Sequence, residues 1–322
     1  MLYAMTEKQQ LIFAKDAQKN QCYYCPGCGR HVILKQGALK LAHFAHQKAA
    51  CQIFSEGETD EHLKGKQLLA KWFRQQGCQV WLEAYLNKLH QRPDLLIKKP
   101  NGIYQAIEFQ CAPLSLAKLK QRTLGYARLG LSCWWILGHR YYVKNKLTQQ
   151  NAQFLRFHPN LGYYLTYITQ DNDRLLLVYD LQCDDFLQLQ KHYYYAENIR
   201  QLQGFYHRKH IIKYGLISAS KKAKQIQKLQ RLCWQEQGKL HDLQIACYEQ
   251  RIRLQDVYPK FAATTYQAPL FCQYPFSWKI KALLQKDKCC YADLLTQSLF
   301  ETPLLKTDSW RQRQIEQFVS LL

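Results

Sequence analysis

The sequence predicts a mixed α/β protein in three parts: a small β module, a central core on a mixed sheet, and a basic, mostly α-helical C-terminal domain. Three observations carry this. Cysteines and histidines gather between Cys25 and Cys51. Apolar runs between Thr59 and Leu137 follow the order helix, strand, strand, helix, strand. Helical periodicity dominates beyond Ser220. The expected boundaries are 1–54, 55–150 and 151–322.

The central element is a β-hairpin from Arg92 to Gln110. Leu95, Leu96 and Ile97 form its first strand behind Pro93. Pro100-Asn101-Gly102 turns the chain, because proline fixes φ and Asn-Gly accepts positive φ. The second strand alternates from Tyr104, so Glu108 and Gln110 share one face and Ile107 and Phe109 the other. Pairing across the turn brings Asp94 close to Glu108. Two carboxylates so placed repel unless neutralised, and a hard cation such as Mg²⁺ does this with oxygen ligands while keeping waters for a phosphate. Spacing alone favours a plain surface hairpin with two solvated acids. The flanking elements change that balance.

Before the hairpin, Thr59 caps a helix with His62 and acids in its first turn and Leu63, Leu68, Leu69, Trp72 and Phe73 on one stripe. After it, a helix over 116–129 sets Leu116, Leu119, Leu124 and Leu129 against Lys118, Lys120, Gln121, Arg122, Tyr126 and Arg128. Cys133 to Leu137 then reads as a buried strand. Acids on the second and third of these five elements suit the metal site of a nuclease core.

The N-terminal module reads as zinc-binding. Cys25-Pro26-Gly27-Cys28 makes a tight knuckle, followed by His43-Phe44-Ala45-His46 and Cys51. Tetrahedral Zn²⁺ takes four N or S ligands, here two cysteines plus two of His43, His46 and Cys51. In an extended segment His43 and His46 point to opposite faces, which leaves His46 with Cys51. A redox pair or free thiols is the weaker reading, and a module of this size gains most from a metal staple. Strands are expected at Gln10 to Ala14, Val32 to Lys35 and Leu39 to Phe44.

Composition points to a polyanion. The 322 residues carry 45 basic and 24 acidic side chains, a net charge of +21. Nucleic acid is the expected partner, ahead of an anionic membrane surface. The absence of a run of about twenty apolar residues argues against a membrane span. With no signal pattern in the first sixteen residues, a cytoplasmic protein is expected, and most of the 13 cysteines are read as buried thiols.

Glu58-Thr59-Asp60-Glu61-His62, Arg92-Pro93-Asp94, Ile107-Glu108-Phe109-Gln110 and Gln121…Tyr126 with Trp134-Trp135-Ile136-Leu137-Gly138 resemble the competence protein CoiA family. The Cys-Pro-x-Cys and His-Phe-Ala-His segments agree with that likeness, which is best from about Gln21 to Arg140. The family looks like a branch of the PD-(D/E)xK nucleases, which implies a restriction-endonuclease-like mixed-sheet core and a zinc-ribbon-like module. Asp94 and Glu108 would hold Mg²⁺ or Mn²⁺, and Glu58 or Glu61 would be the acid on the helix. Gln110 stands where the wider superfamily has lysine; its amide can orient a water but adds no charge. Lys118 and Lys120 are candidates to supply that charge. Gln121, Arg122, Tyr126 and Lys118 would handle DNA. The implied function is metal-dependent processing of single-stranded or branched DNA during natural transformation, with a RecA-type recombinase as partner. The alternative is a DNA-binding accessory to that recombinase, without turnover.

Further on, Tyr141 to Val143 is expected as a strand, and Tyr163–Ile168 and Leu175–Tyr179 as two strands joined by a polar turn. From Lys191 to Arg231, ten basic residues stand against Glu197, with tyrosines and Phe205 interleaved. That pattern suits phosphate contacts with base stacking, or equally a solvated helix face with inward tyrosines. Ser220 to Tyr258 is expected as a helical hairpin broken at Gly238 and stopped by Pro259, and Ser309 as the start of a final helix.

Overall fold

A computed structural model of the protein describes residues 1–37, 41–47, 59–169, 172–210, 212–235, 238–285 and 288–322. Cys51 and Glu58 lie outside them. The described residues form two compact units. The first comprises Met1–Tyr142, Thr166–Leu177 and Tyr194–His207; the second comprises Val143–Leu165, Val178–Tyr193 and Arg208–Leu322.

The first unit opens with an antiparallel sheet in the order β2-β1-β3-β4-β5, from β1 (Tyr3–Thr6), β2 (Leu11–Phe13), β3 (Tyr23–Tyr24), β4 (His31–Lys35) and β5 (His43–Ala45). Alternation turns Ala4, Tyr23, Val32 and Phe44 inward with Cys25. The expected strands at Gln10–Ala14 and Val32–Lys35 form. β5 takes the end of the expected Leu39–Phe44 strand, of which 38–40 lie outside the described residues.

Helix α1 (Asp60–Gln75) follows, capped as expected by Thr59, whose hydroxyl accepts from the His62 amide at 3.2 Å. Next come β6 (Gln79–Leu82), β7 (Leu95–Lys98), β8 (Tyr104–Gln110), α2 (Leu116–Arg128) and β9 (Ser132–Leu137). The hairpin forms in the expected register, with Leu95 opposite Ile107 and Gly102 at φ 83°. β8 also pairs in parallel with β9, so both its neighbours are strands. Ile107, Glu108, Phe109 and Gln110 are therefore all buried.

Tyr141 to Val143 is not the expected strand. The ladder closes where the Gly138 amide donates to Gln110 O, and His139–Tyr141 is a 3-10 turn. Tyr141 goes inward, its hydroxyl donating to Ala112 O at 2.7 Å.

Beyond it lie α3 (Gln149–Ala152), β10 (Arg156–His158), β11 (Gly162–Ile168), β12 (Leu175–Cys183) and β13 (Leu189–Ala196). The large sheet is mixed, in the order β6-β7-β8-β9-β11-β12-β13, with β10 on β11. Helix α4 (Ile199–His207) belongs to the first unit, where Phe205 stacks on Tyr194 at 3.8 Å.

The second unit holds α3, β10 and parts of β11, β12 and β13, and packs further helices around an aromatic core that includes Phe186, Tyr258, Phe276, Trp278 and Phe318. These helices are α5 (Ala219–Cys233), α6 (His241–Glu249), α7 (Leu254–Phe261), α8 (Pro275–Gln285), α9 (Tyr291–Gln297) and α10 (Asp308–Val319). The expected hairpin from Ser220 is three helices. Pro259 does not stop the last of them. It sits inside α7, which ends two residues later; its missing N–H leaves the carbonyl of Gln255 without a helical partner, on an exposed residue. The last helix is capped at Thr307 rather than Ser309, without a side-chain bond.

Candidate functional site

Glycine and geometry build the site where α1 crosses the hairpin. A Cβ on Gly65 would lie 2.1 Å from Phe109 Cε1, so only glycine lets α1 come this close to β8. Asp94 sits just before β7. Its carbonyl accepts from the Glu83 amide, and its Oδ2 accepts from the Phe109 amide at 2.8 Å. These bonds fix its carboxyl at the strand mouth. His62 Nε2 lies 3.1 Å from Asp94 Oδ2, and Lys66 Nζ, one helical turn on, lies 4.0 Å from Oδ1.

Glu108 faces this group from the neighbouring strand. Its Oε1 accepts from the Arg122 guanidinium and the Tyr126 hydroxyl, both on α2. Arg122 NH2 also donates to Arg92 O at 3.0 Å. Behind them Glu83 is buried between Lys66 and Arg92, and its Oε2 accepts from the Leu2 amide at 2.9 Å. Glu83 has φ 57°, a turn that aims its side chain inward straight after β6.

The electrostatics follow from this packing. Burial would raise Asp94, but His62, Lys66 and the Phe109 amide outweigh it and hold the carboxyl well below the usual range. Burial raises Glu108, and the charge of Asp94 adds to that against the pull of Arg122 and Tyr126. The strand register, with Leu95 opposite Ile107, sets the two carboxylates on neighbouring strands at the same level. Burial also pushes on Glu83, where Arg92 and Lys66 prevail and hold it low.

Two carboxylates on adjacent strands are the donor chemistry of a hard divalent cation. Each has one oxygen outside the hydrogen bonds just described, Asp94 Oδ1 and Glu108 Oε2. Those oxygens are the ones a cation would take, and they already have cationic neighbours: Lys66 Nζ lies 4.0 Å from Asp94 Oδ1 and Arg122 pairs with Glu108. Glu61 is placed differently. Its Oε1 accepts from the His139 amide at 2.7 Å, next to Gly138, where a Cβ would meet it at 2.8 Å. Gln110 donates its amide to Ala112 O at 2.8 Å. On α2, Arg122 and Tyr126 turn to Glu108, whereas Gln121 uses its carbonyl to accept from Gln91.

The N-terminal cluster is tighter. Cys25 Sγ, Cys28 Sγ and a nitrogen of His46 lie within 4.8 Å of one another, and among the described residues this is the group of three metal-ligand side chains so gathered. Cys28 Sγ is 3.3 Å from His46 Nε2. The amides of Gly27 and Cys28 point at Cys25 Sγ at 3.3 and 3.4 Å, the arrangement that supports a thiolate ligand. Burial pushes the Cys25 thiol up to about 12. His43 stands apart, its Nδ1 at 2.8 Å from Leu41 O. This donor set fits Zn²⁺ with three ligands, and Cys51 lies outside the described residues.

Comparison with known proteins identifies both regions. The model of the competence protein CoiA nuclease-like domain matches residues 58–201, and that of the competence protein CoiA N-terminal domain matches residues 6–54. The chain belongs to the competence protein CoiA family. Competence protein CoiA of Bacillus subtilis (strain 168) is 31% identical over 172 residues, 53% of this chain and 44% of that protein. The chain thus spans less than half the length of this curated relative. No solved structure gives a significant match.

In CoiA terms, the cysteine–histidine cluster falls in the N-terminal domain and the paired acids in the nuclease-like domain. Sequence reasoning missed three members of the second site. Lys66 is visible as the residue four beyond His62, on the same helix face. Glu83 and Arg92 give no spacing signal, because a single positive-φ residue and a loop bring them together.

Proposed function

We propose that this protein handles DNA in competence, and that its nuclease-like domain hydrolyses phosphodiester bonds with a divalent metal ion at Asp94 and Glu108. The supporting observation is that two carboxylates stand on adjacent strands, each with one oxygen outside the hydrogen bonds that hold it, beside a partly exposed guanidinium. Bound Mg²⁺ or Mn²⁺ would supply Lewis-acid charge and an activated water. The chain's own groups do the rest. The Phe109 amide and His62 orient Asp94. Arg122 is more exposed than the Glu108 it covers, so an arriving phosphate meets the guanidinium first. Tyr126 holds Glu108 as Arg122 shifts toward that phosphate. Lys66, fully buried, provides the fixed positive charge that Gln110 does not. The net charge of +21 favours DNA at long range. A restriction-endonuclease-like core accords with the mixed sheet and the helix on each side of the hairpin in sequence. The N-terminal domain would carry Zn²⁺ on Cys25, Cys28 and His46, with Cys51 as fourth ligand.

A second reading is a DNA-binding accessory without turnover, assisting a RecA-type recombinase. It is favoured by one observation: Arg122 and Tyr126 already neutralise Glu108, which is almost fully buried. Purified protein given labelled DNA and Mg²⁺ or Mn²⁺ separates the two. Cleavage by wild type that Asp94→Asn abolishes while binding persists supports hydrolysis. Binding without cleavage by wild type leaves the accessory role.

A further inference from the structure

The second unit holds a feature that none of the paired-acid chemistry uses. Trp234, at the C-terminal end of α5, is 85% exposed, and Tyr248, on α6, is 83% exposed. Together with His241, Gln244 and Ile245 they line a cleft of about 260 Å³. The Gln244 amide donates to Cys233 O at 2.9 Å and ties α6 to the end of α5. Large aromatic faces left open to water are uncommon unless something stacks on them.

The surroundings say what that partner is. Helix α5 carries Lys221, Lys222, Lys224, Lys228 and Arg231 and no acid. Arg231 lies three residues before Trp234, on the same side of the helix. Lys239 stands between the two helices, exposed. Lys221 is committed to Asp184 at 3.0 Å, and Lys228 rests over the Phe186 ring at 4.9 Å. Burial lowers Lys146, and the charges of Lys228 and Lys239 add to that, so cations on this surface repel one another. Crowding like charges around open aromatic faces is unfavourable in the free protein and becomes favourable on binding a polyanion that has flat apolar groups.

We propose that the α5–α6 cleft is a binding site for single-stranded DNA, with unpaired bases stacked on Trp234 and Tyr248 and the backbone phosphates on Arg231 and Lys239. A duplex keeps its base faces covered and cannot use the aromatic half of this surface. An apolar or acidic protein segment would fill the cleft without explaining the lysines beyond it. The choice of DNA over RNA rests on the functional reading given above; the cleft itself does not rest on the nuclease site.

The test is fluorescence anisotropy with a labelled oligo-dT of about twenty nucleotides, longer than a single stacking platform of about 4–16 nucleotides. The probe is compared with a blunt duplex and with oligo-U, using the full-length protein with Asp94→Asn to prevent cleavage. Adding Trp234→Ala and Tyr248→Ala, both solvent-facing, is expected to weaken oligo-dT binding about tenfold or more and duplex binding far less. Arg231→Glu with Lys239→Glu is expected to weaken oligo-dT and flatten its salt dependence, by about 0.7 in log–log slope for each phosphate no longer neutralised. Unchanged circular dichroism and Tm keep these losses attributable to the surface. Oligo-dT affinity within about twofold of the parent in the aromatic double variant overturns the proposal, as does an equal loss on duplex. A selective loss on oligo-U with oligo-dT retained also overturns it. So does a double variant that keeps oligo-dT but loses concentration-dependent self-association, which would give the cleft to a second copy of the chain.

Discussion

His62 Nε2 lies 3.1 Å from Asp94 Oδ2, which joins the first turn of α1 to the mouth of β7 across 32 residues of sequence. The same carboxylate oxygen takes the Phe109 amide. Asp94 is thereby held below the usual carboxylate range. Its ionised form is favoured by folding, so the stability it contributes is present above its unfolded value of about 3.9 and is lost as pH falls below that. Urea unfolding of wild type is expected to weaken steeply below about pH 4. Asp94→Asn, less stable at pH 7, is expected to show a shallower acid limb. Parallel pH curves for the two proteins would show that Asp94 gains nothing from its partners.

Arg122 covers Glu108, and removing it leaves a buried carboxylate without compensation. Arg122→Ala is expected to cost about 3 kcal/mol, in the range for breaking a buried ion pair on one side. Combining it with Glu108→Gln is expected to recover part of that loss, since the uncompensated charge goes with its partner. A double-mutant cycle by chemical denaturation measures the coupling, and strict additivity would mean that the pair is not one unit.

Gly65 sets how closely α1 approaches β8. In Gly65→Ala the new methyl would overlap the Phe109 ring, and overpacking of this kind costs about 1–3 kcal/mol. The Phe109 amide that holds Asp94 would shift with the ring, so any metal-dependent cleavage is expected to fall more than DNA affinity. A fully stable, fully active Gly65→Ala protein would contradict this packing.

The N-terminal domain is expected to bind about one Zn²⁺ per chain through Cys25, Cys28 and His46. Elemental analysis of native protein, Cys28→Ser and His46→Ala checks this, with metal lost from both variants. Removing zinc with a chelator is expected to lower the Tm of the N-terminal sheet, because Cys25 belongs to its small core. His43→Ala is expected to keep its zinc, as that ring is turned to Leu41 O.

Much of the central fold was legible because its signals are local. Thr59 capping, the Asn101-Gly102 turn and the 116–128 helix each follow from a few neighbouring residues. The hairpin register follows from that turn, and it sets Asp94 and Glu108 on neighbouring strands at the same level. The partners of those acids were less legible. Arg122 and Tyr126 read as a DNA-facing pair, and helical spacing alone does not say whether a cation turns outward or toward a buried acid. The choice of His46 over His43 followed from extended-chain alternation. Glu83 was invisible, because its role depends on one positive φ. So was the order of β11 to β13 in the large sheet, since strand order depends on pairings distant in sequence. Pro259 misled because a proline ends a helix by rule, and here the helix was about to end anyway.

Titration of the protein with Mn²⁺ by isothermal calorimetry, after zinc is loaded at the N-terminal cluster, tests the central claim most directly. Wild type is expected to bind one Mn²⁺ that Asp94→Asn and Glu108→Gln each lose, with Mg²⁺ competing for the same site. Absence of Mn²⁺ binding by wild type, or binding that survives both substitutions, would contradict a metal held between these two strands.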